Sequence, residues 1–202
     1  MPETDQTPGS RSPEHHPDAG KLIWVFLIMT GIAGWMLSRS WHASILDRYE
    51  FRQLQTALSI FWAKQDGFHL DYLTPLFGPP WSIPMEFPTY QWCVAMTSSL
   101  CGMAVEPAGR LVSILFFVAT LPAVYGLLGL AELSPSRRLL VLAVVLSTPV
   151  YLFYTRTVMI ETTALCFSVW YLHAFSRTLT TGKTGWFIGT CLFALFAALT
   201  KI

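Results

Sequence analysis

The run Asp47-Arg48-Tyr49-Glu50-Phe51-Arg52 places two carboxylates and two guanidiniums just past the end of an apolar stretch. A positioned carboxylate takes a proton from a hydroxyl or an amine as a bond to it forms. Guanidinium forks grip phosphate bidentately and stabilise it as it leaves. Acids held where a membrane helix meets water therefore suit chemistry on a lipid-linked substrate. A further acid, Glu161, stands in an otherwise apolar segment. A charge at the centre of a membrane helix costs roughly 2.5–3.5 kcal/mol on insertion scales. Glu161 is therefore either functional or the end residue of a helix at the surface.

Composition places these residues in a membrane protein. The chain of 202 residues is 53% hydrophobic and 12% charged, with mean hydropathy +0.47; soluble domains carry about a quarter charged residues. A net charge of +1 argues against nucleic acid as a partner, since phosphate backbones need clustered Lys and Arg. Cys93, Cys101, Cys166 and Cys191 lie in apolar stretches without CxxC or His pairing, which fits packing rather than a disulfide or metal role. Residues 1–20 are rich in Pro, Glu, Asp, Ser and Thr and read as a disordered cytoplasmic tail, with His15-His16 as bystanders. The apolar run Leu22–Leu37 starts late and no small-x-small cleavage site clearly follows, so it reads as a retained signal anchor.

Uncharged runs occur at Leu22–Ser38, Phe87–Val105, Leu111–Ala131, Leu139–Thr155, Thr162–Ser176 and Thr184–Thr200, and a crossing needs about 17–25 largely apolar residues. The short basic connections, Glu132–Arg138 and Arg177–Lys183, should be cytoplasmic. With the tail also cytoplasmic, segment 39–110 lies wholly outside and Phe87–Val105 becomes a helix on, or dipping into, the outer surface. Thr162–Ser176 is short, and snorkelling of Arg177 extends it. Within the outer segment, Phe51, Leu54, Leu58, Phe61 and Trp62 follow helical spacing opposite Arg52, Gln53, Gln55, Thr56 and Ser59. That is an amphipathic helix suited to the interface plane, ended by Gly67. Pro75, Pro79, Pro80 and Pro84 keep the following stretch extended.

The order of these features resembles the GT-C membrane glycosyltransferases, in the branch of protein O-mannosyltransferases and lipid A aminoarabinose transferases. The matching residues are Asp47, Arg48-Tyr49, Gly67, Pro88-Thr89-Tyr90-Gln91-Trp92, Gly102 and Arg110-Leu111-Val112-Ser113. Thr148-Pro149, Tyr154-Thr155-Arg156-Thr157 and Glu161 look like the family's second acidic turn, and Leu199-Thr200-Lys201 is similar to the lysine that ends a later outward helix. The resemblance covers Leu22–Ile202. It implies an all-α polytopic membrane protein: a GT-C-like bundle whose long outer loop, 39–110, carries interfacial helices after the first transmembrane helix. Residues 21–202 would form the N-terminal part of that transferase domain. Relatives are about twice as long or more, so the resemblance also implies a partial chain, inactive alone.

The implied reaction is transfer of a sugar from a polyprenyl-phosphate donor to a glycan, lipid or protein acceptor, at the extracytoplasmic face of the plasma membrane. One displacement with inversion needs a single base, for which Asp47 is the expected residue and Glu50 the alternate; Glu161 positions that base or binds the acceptor. Family members usually open the loop with an Asp-Glu pair, whereas here Arg48 follows Asp47, and Phe87 stands where some relatives have lysine. Contact with the donor phosphate would then come from Arg48, Arg52, Arg110 or Lys201. No cofactor is implied beyond the donor, no cluster supports a metal site, and dependence on a divalent metal stays open.

Plainer readings stand beside these. Asp47 and Glu50 between arginines also fit a solvated ion-pair cluster, and Arg110 an interfacial anchor. Trp62, Trp81, Tyr90 and Trp92 fit an interfacial belt better than sugar-stacking platforms, and His42 and His69 read as surface histidines. The rival functions are a transporter or lipid-handling protein, and a non-catalytic subunit with the same fold. Transporters tend to show paired broken helices and an inverted repeat, and neither is evident in the sequence.

Overall fold

A computed structural model of the protein describes residues 19–46, 49–70, 78–79, 81 and 86–201. Asp47 and Arg48, most of the tail with His15-His16, and Pro75, Pro80 and Pro84 lie outside the described residues. Those described are helical or in turns, with no strand among them: α1 (Ala19–Arg39), α2 (Glu50–Asp66), α3 (Thr89–Cys101), α4 (Val105–Leu130), α5 (Pro135–Ser147), α6 (Pro149–Thr155), α7 (Glu161–Thr181) and α8 (Thr184–Thr200).

Two helices, Gly20–Arg39 and Val105–Leu130, are long and apolar enough to cross a membrane, which associates the protein with one. At 1.5 Å per residue, α4 reaches about 39 Å, more than the ~30 Å hydrocarbon core. The run Phe87–Val105 forms only the 13-residue α3, about 20 Å long and too short to cross. Thr162–Ser176 grows into the 21-residue α7, which is not among the helices both long and apolar enough to cross. There Arg177 does not simply snorkel: its guanidinium carbon sits 5.5 Å from the Trp186 ring centre. The tail also ends earlier than expected, because Ala19 and Gly20 already belong to α1.

The expected span Leu139–Thr155 is not one helix. It breaks between α5 and α6 with a bend of 63°. Pro149 opens α6; lacking an N–H and clashing with the preceding turn, a proline stops the helix before it. Thr148 bridges the break, its N–H donating to Val145 O and its carbonyl accepting from Leu152 N.

The long helices pack in a row, with α1 on α5, α5 on α4, α4 on α7 and α7 on α8, while α2 and α3 pack on each other and on α4. The core beneath α2 and α3 includes Ile60, Tyr90, Val94, Ala108, Val112 and Val158. Gly109 permits this fit, since a Cβ there would meet Val158 Cγ1 at 2.7 Å and the Tyr90 hydroxyl at 3.2 Å. We expect Gly109→Ala to cost about 1–3 kcal/mol by overpacking, read as a lower melting temperature in detergent.

Helix α2 turns inward a side that mixes polar residues with Ile60 and Ala63. Gln53, Gln55 and Ser59 are buried, whereas Phe51, Leu54 and Phe61 are exposed. In water that arrangement would waste the apolar stripe; against lipid it buries it. The buried polar side is satisfied in part by Gln53, whose Oε1 accepts from Val158 N at 3.2 Å.

Candidate functional site

One end of the bundle collects the chemistry. Arg110, in the second turn of α4, is buried, and its guanidinium donates to three backbone carbonyls. Nε reaches Arg156 O at 3.2 Å, Nη1 reaches Trp41 O at 2.6 Å, and Nη2 reaches Ala43 O. The ends of α1 and α6 are thereby tied to the start of α4. Arg110 is neither a surface anchor nor an open phosphate grip, because its fork is engaged by backbone.

Glu161 heads α7, where a carboxylate complements the helix's positive end. Its Oε1 accepts from Lys201 Nζ at 3.5 Å, with Glu161 mostly buried and Lys201 half exposed. The pair joins residues far apart in sequence, and Phe87 N donates to Leu199 O at 3.1 Å beside it. The starts of α3 and α7 thus meet the end of α8. Here buried polar atoms lack a protein partner: Glu161 Oε2, the hydroxyls of Thr89, Thr162, Thr163 and Thr200, and Gln91 Oε1.

A buried polar atom without a partner costs about 1–3 kcal/mol. Thr200 is fully buried, so Thr200→Val keeps its shape and removes the orphan. We expect that change to raise stability by about 1 kcal/mol, measured as an increased melting temperature. A decrease would show that ordered water satisfies the hydroxyl.

Tyr90 departs from the interfacial belt expected of it. It is fully buried, donates to Gly109 O at 3.0 Å and lies 3.1 Å from Ser113 Oγ. Ser113 in turn donates to Thr157 O at 2.8 Å. Burial pushes the Tyr90 pKa well up, with a smaller push from the Glu161 charge, so Tyr90 stays neutral and frames the site. Trp62 and Trp92 are partly buried, while Trp81 is exposed.

Of the remaining expected site residues, Arg52 pairs with Glu86 at 3.0 Å, linking α2 to the segment before α3. Glu50 is exposed at the first turn of α2. Asp47 and Arg48 have described neighbours on both sides. Leu46 lines a cavity of about 540 Å³ together with Trp41, His42, Leu54, Glu106 and Arg110. On the other side Tyr49 is left-handed, at φ 61°, with its ring 5.8 Å from that of Phe153. A bulky residue in that region is strained, and such strain clusters at functional sites.

Glu106 was not singled out by sequence reasoning, and Gln91, Thr200 and Arg156 entered it only as members of motifs, without a role. Glu106, one turn before Arg110, carried a signal in that spacing. Thr162 and Thr163 carried none, since hydroxyls are common in membrane helices. Among the described residues, no group of three or more His, Cys, Asp or Glu side chains could hold a metal ion. No protein-family model matches the chain, and no curated protein or solved structure matches it significantly.

Proposed function

We propose that this chain acts as a GT-C-like, multi-pass membrane glycosyltransferase. It transfers a sugar from a polyprenyl-phosphate donor to an acceptor hydroxyl or amine at the outer face of the plasma membrane. The observation that carries the reading is the Glu161–Lys201 pair at 3.5 Å, with a buried carboxylate oxygen left over, at the end where α3, α7 and α8 meet. A cation beside an acid with spare acceptor capacity, close to an outward apolar helix face, is what a reaction between a lipid phosphate and a hydroxyl requires.

In this reading α1, α5–α6 and α8 run outward, α4 and α7 run inward, and the basic turns at Arg137-Arg138 and Arg177–Lys183 are cytosolic. Helix α2 rests its exposed stripe on lipid. Asp47, or else Glu50, takes the acceptor proton as the acceptor oxygen or nitrogen attacks the anomeric carbon. The bond to the donor phosphate breaks, and Arg48, Arg52 and Lys201 stabilise the phosphate that leaves. Glu161 orients the acceptor. Arg110 acts as a positioning residue, holding the segment before Asp47 against α4.

The test is transfer of radiolabelled sugar from polyprenyl phosphate in membranes enriched in the protein. The reading fails if Asp47→Asn and Glu50→Gln both keep full transfer.

One observation favours a second reading. The 63° break at Thr148-Pro149 is the kind of discontinuous helix that transporters place at a substrate path. Uptake of a lipid-linked sugar by proteoliposomes without any transfer product would support that account instead.

A further inference from the structure

The cavity of about 540 Å³ beside Arg110 has no part in the chemistry above, yet pockets that hold small ligands span about 300–1,000 Å³. Glu106, in the first turn of α4, is the single carboxylate among the described residues that line it. It is partly buried, and no hydrogen bond reaches it among the described residues. Arg110, one turn further on, favours the Glu106 charge but spends its fork on the carbonyls of Trp41, Ala43 and Arg156. Glu106 therefore keeps its acceptor capacity, next to apolar walls from Leu46 and Leu54. Donors line the same cavity. The Ser44 Oγ accepts from Leu46 N at 3.1 Å, which leaves its hydroxyl hydrogen to donate, and His42 adds a ring N–H. The depth is that of a lipid headgroup: α4 is longer than the hydrocarbon core, so its first turn stands at the headgroup layer. Leu54 belongs both to the cavity wall and to the exposed stripe of α2, so the cavity adjoins the surface that meets lipid.

We propose that this cavity holds the ethanolamine headgroup of a membrane phospholipid, with its ammonium on Glu106 and its phosphate on Ser44 and His42. A primary ammonium brings three N–H donors to a carboxylate, whereas the quaternary ammonium of choline brings none. The Arg110 charge favours the phosphate at longer range. A soluble amine would leave the apolar walls at Leu46 and Leu54 in water, where a lipid covers them. Bound there, the headgroup braces residues 41–46 against α4 from outside, as Arg110 does from within.

The test places the protein in phosphatidylcholine nanodiscs with a trace of phosphatidylethanolamine that carries a diazirine beside its glycerol, followed by photolysis and peptide mapping. We expect adducts within residues 41–46, at 54 or within 105–110. A phosphatidylcholine probe with the same diazirine should label these segments about tenfold less, the effect of one lost charge-assisted contact. Glu106→Gln keeps the side chain's shape and should bring the two probes level. Leu54→Trp fills the cavity from a position 41% exposed, so it should fold normally and lower labelling by the ethanolamine probe to a similar degree. Glycerophosphoethanolamine, the headgroup without its chains, should not compete. Equal labelling of the wild-type protein by the two probes, adducts mapping elsewhere, or wild-type labelling in a folded Glu106→Gln or Leu54→Trp protein would each overturn the proposal. Full competition by glycerophosphoethanolamine would assign the cavity to a soluble amine and overturn it too. Sugar transfer is read in none of these arms, so the lipid site and the transfer reading stand or fall separately.

Discussion

Arg110→Met is expected to disorganise the whole site end of the bundle while leaving the opposite end folded. The substitution removes the shared donor of three carbonyls, those of Trp41, Ala43 and Arg156, at a site only 4% exposed. Hydrogen bonds to charged groups contribute about 1.5–3 kcal/mol each, and a buried carbonyl left bare costs about 1–3 kcal/mol. A loss of roughly 3 kcal/mol or more follows, a large part of a typical domain's margin. Arg110→Lys should recover little of it, because a point ammonium cannot span three carbonyls as a planar fork does. The measurements are melting temperature and limited proteolysis, with new cleavage expected between Ser40 and Leu46. An Arg110→Met protein that melted like wild type and lost only transfer would return Arg110 to the role of phosphate ligand.

Asp47→Asn is expected to lower transfer about 10²–10⁴-fold, the usual contribution of a general base, without altering stability. Glu50→Gln, at an exposed helix start, should change the rate by no more than a few fold if Asp47 is the base. The reverse pattern would exchange the two roles. Glu161→Gln keeps the shape of the side chain but removes the charge that faces Lys201. It should weaken acceptor use, seen as a raised KM for acceptor, more than it lowers kcat. Charge exchange offers a control: Glu161→Lys with Lys201→Glu should restore the melting temperature lost by either change alone, but not transfer.

Much of the frame was legible in the sequence because membrane segments announce themselves by length and lack of charge. Residues Leu22–Ser38 and Leu111–Ala131 fall within α1 and across α4, while Thr184–Thr200 coincides with α8, an apolar helix shorter than a full span. The amphipathic period of Phe51, Leu54 and Phe61 correctly separated the two sides of α2. What the period could not reveal was that Gln53, Gln55 and Ser59 would be the buried side, since that depends on what surrounds the helix. The apolar run Leu139–Thr155 passes through Pro149, whose steric effect outweighs hydropathy and divides it into α5 and α6. Candidate site residues were legible one at a time, as charges out of place. Their partners were not: Glu161 meets Lys201 across forty positions, and Arg110 meets Trp41 across sixty-nine. An aromatic ring near a membrane surface fits an interfacial belt by type alone; only packing against Gly109 and Ser113 reveals the buried role of Tyr90.

The account depends most on which side of the membrane the Glu161 end faces. Single cysteines at Glu50 and at Lys183, each in a protein with Cys93, Cys101, Cys166 and Cys191 replaced by alanine, can be labelled in intact cells with a maleimide that does not cross membranes. The account predicts that the cysteine at position 50 reacts from outside and the one at position 183 reacts only after permeabilisation. The opposite pattern would place the acids in the cytosol and contradict transfer at the outer face.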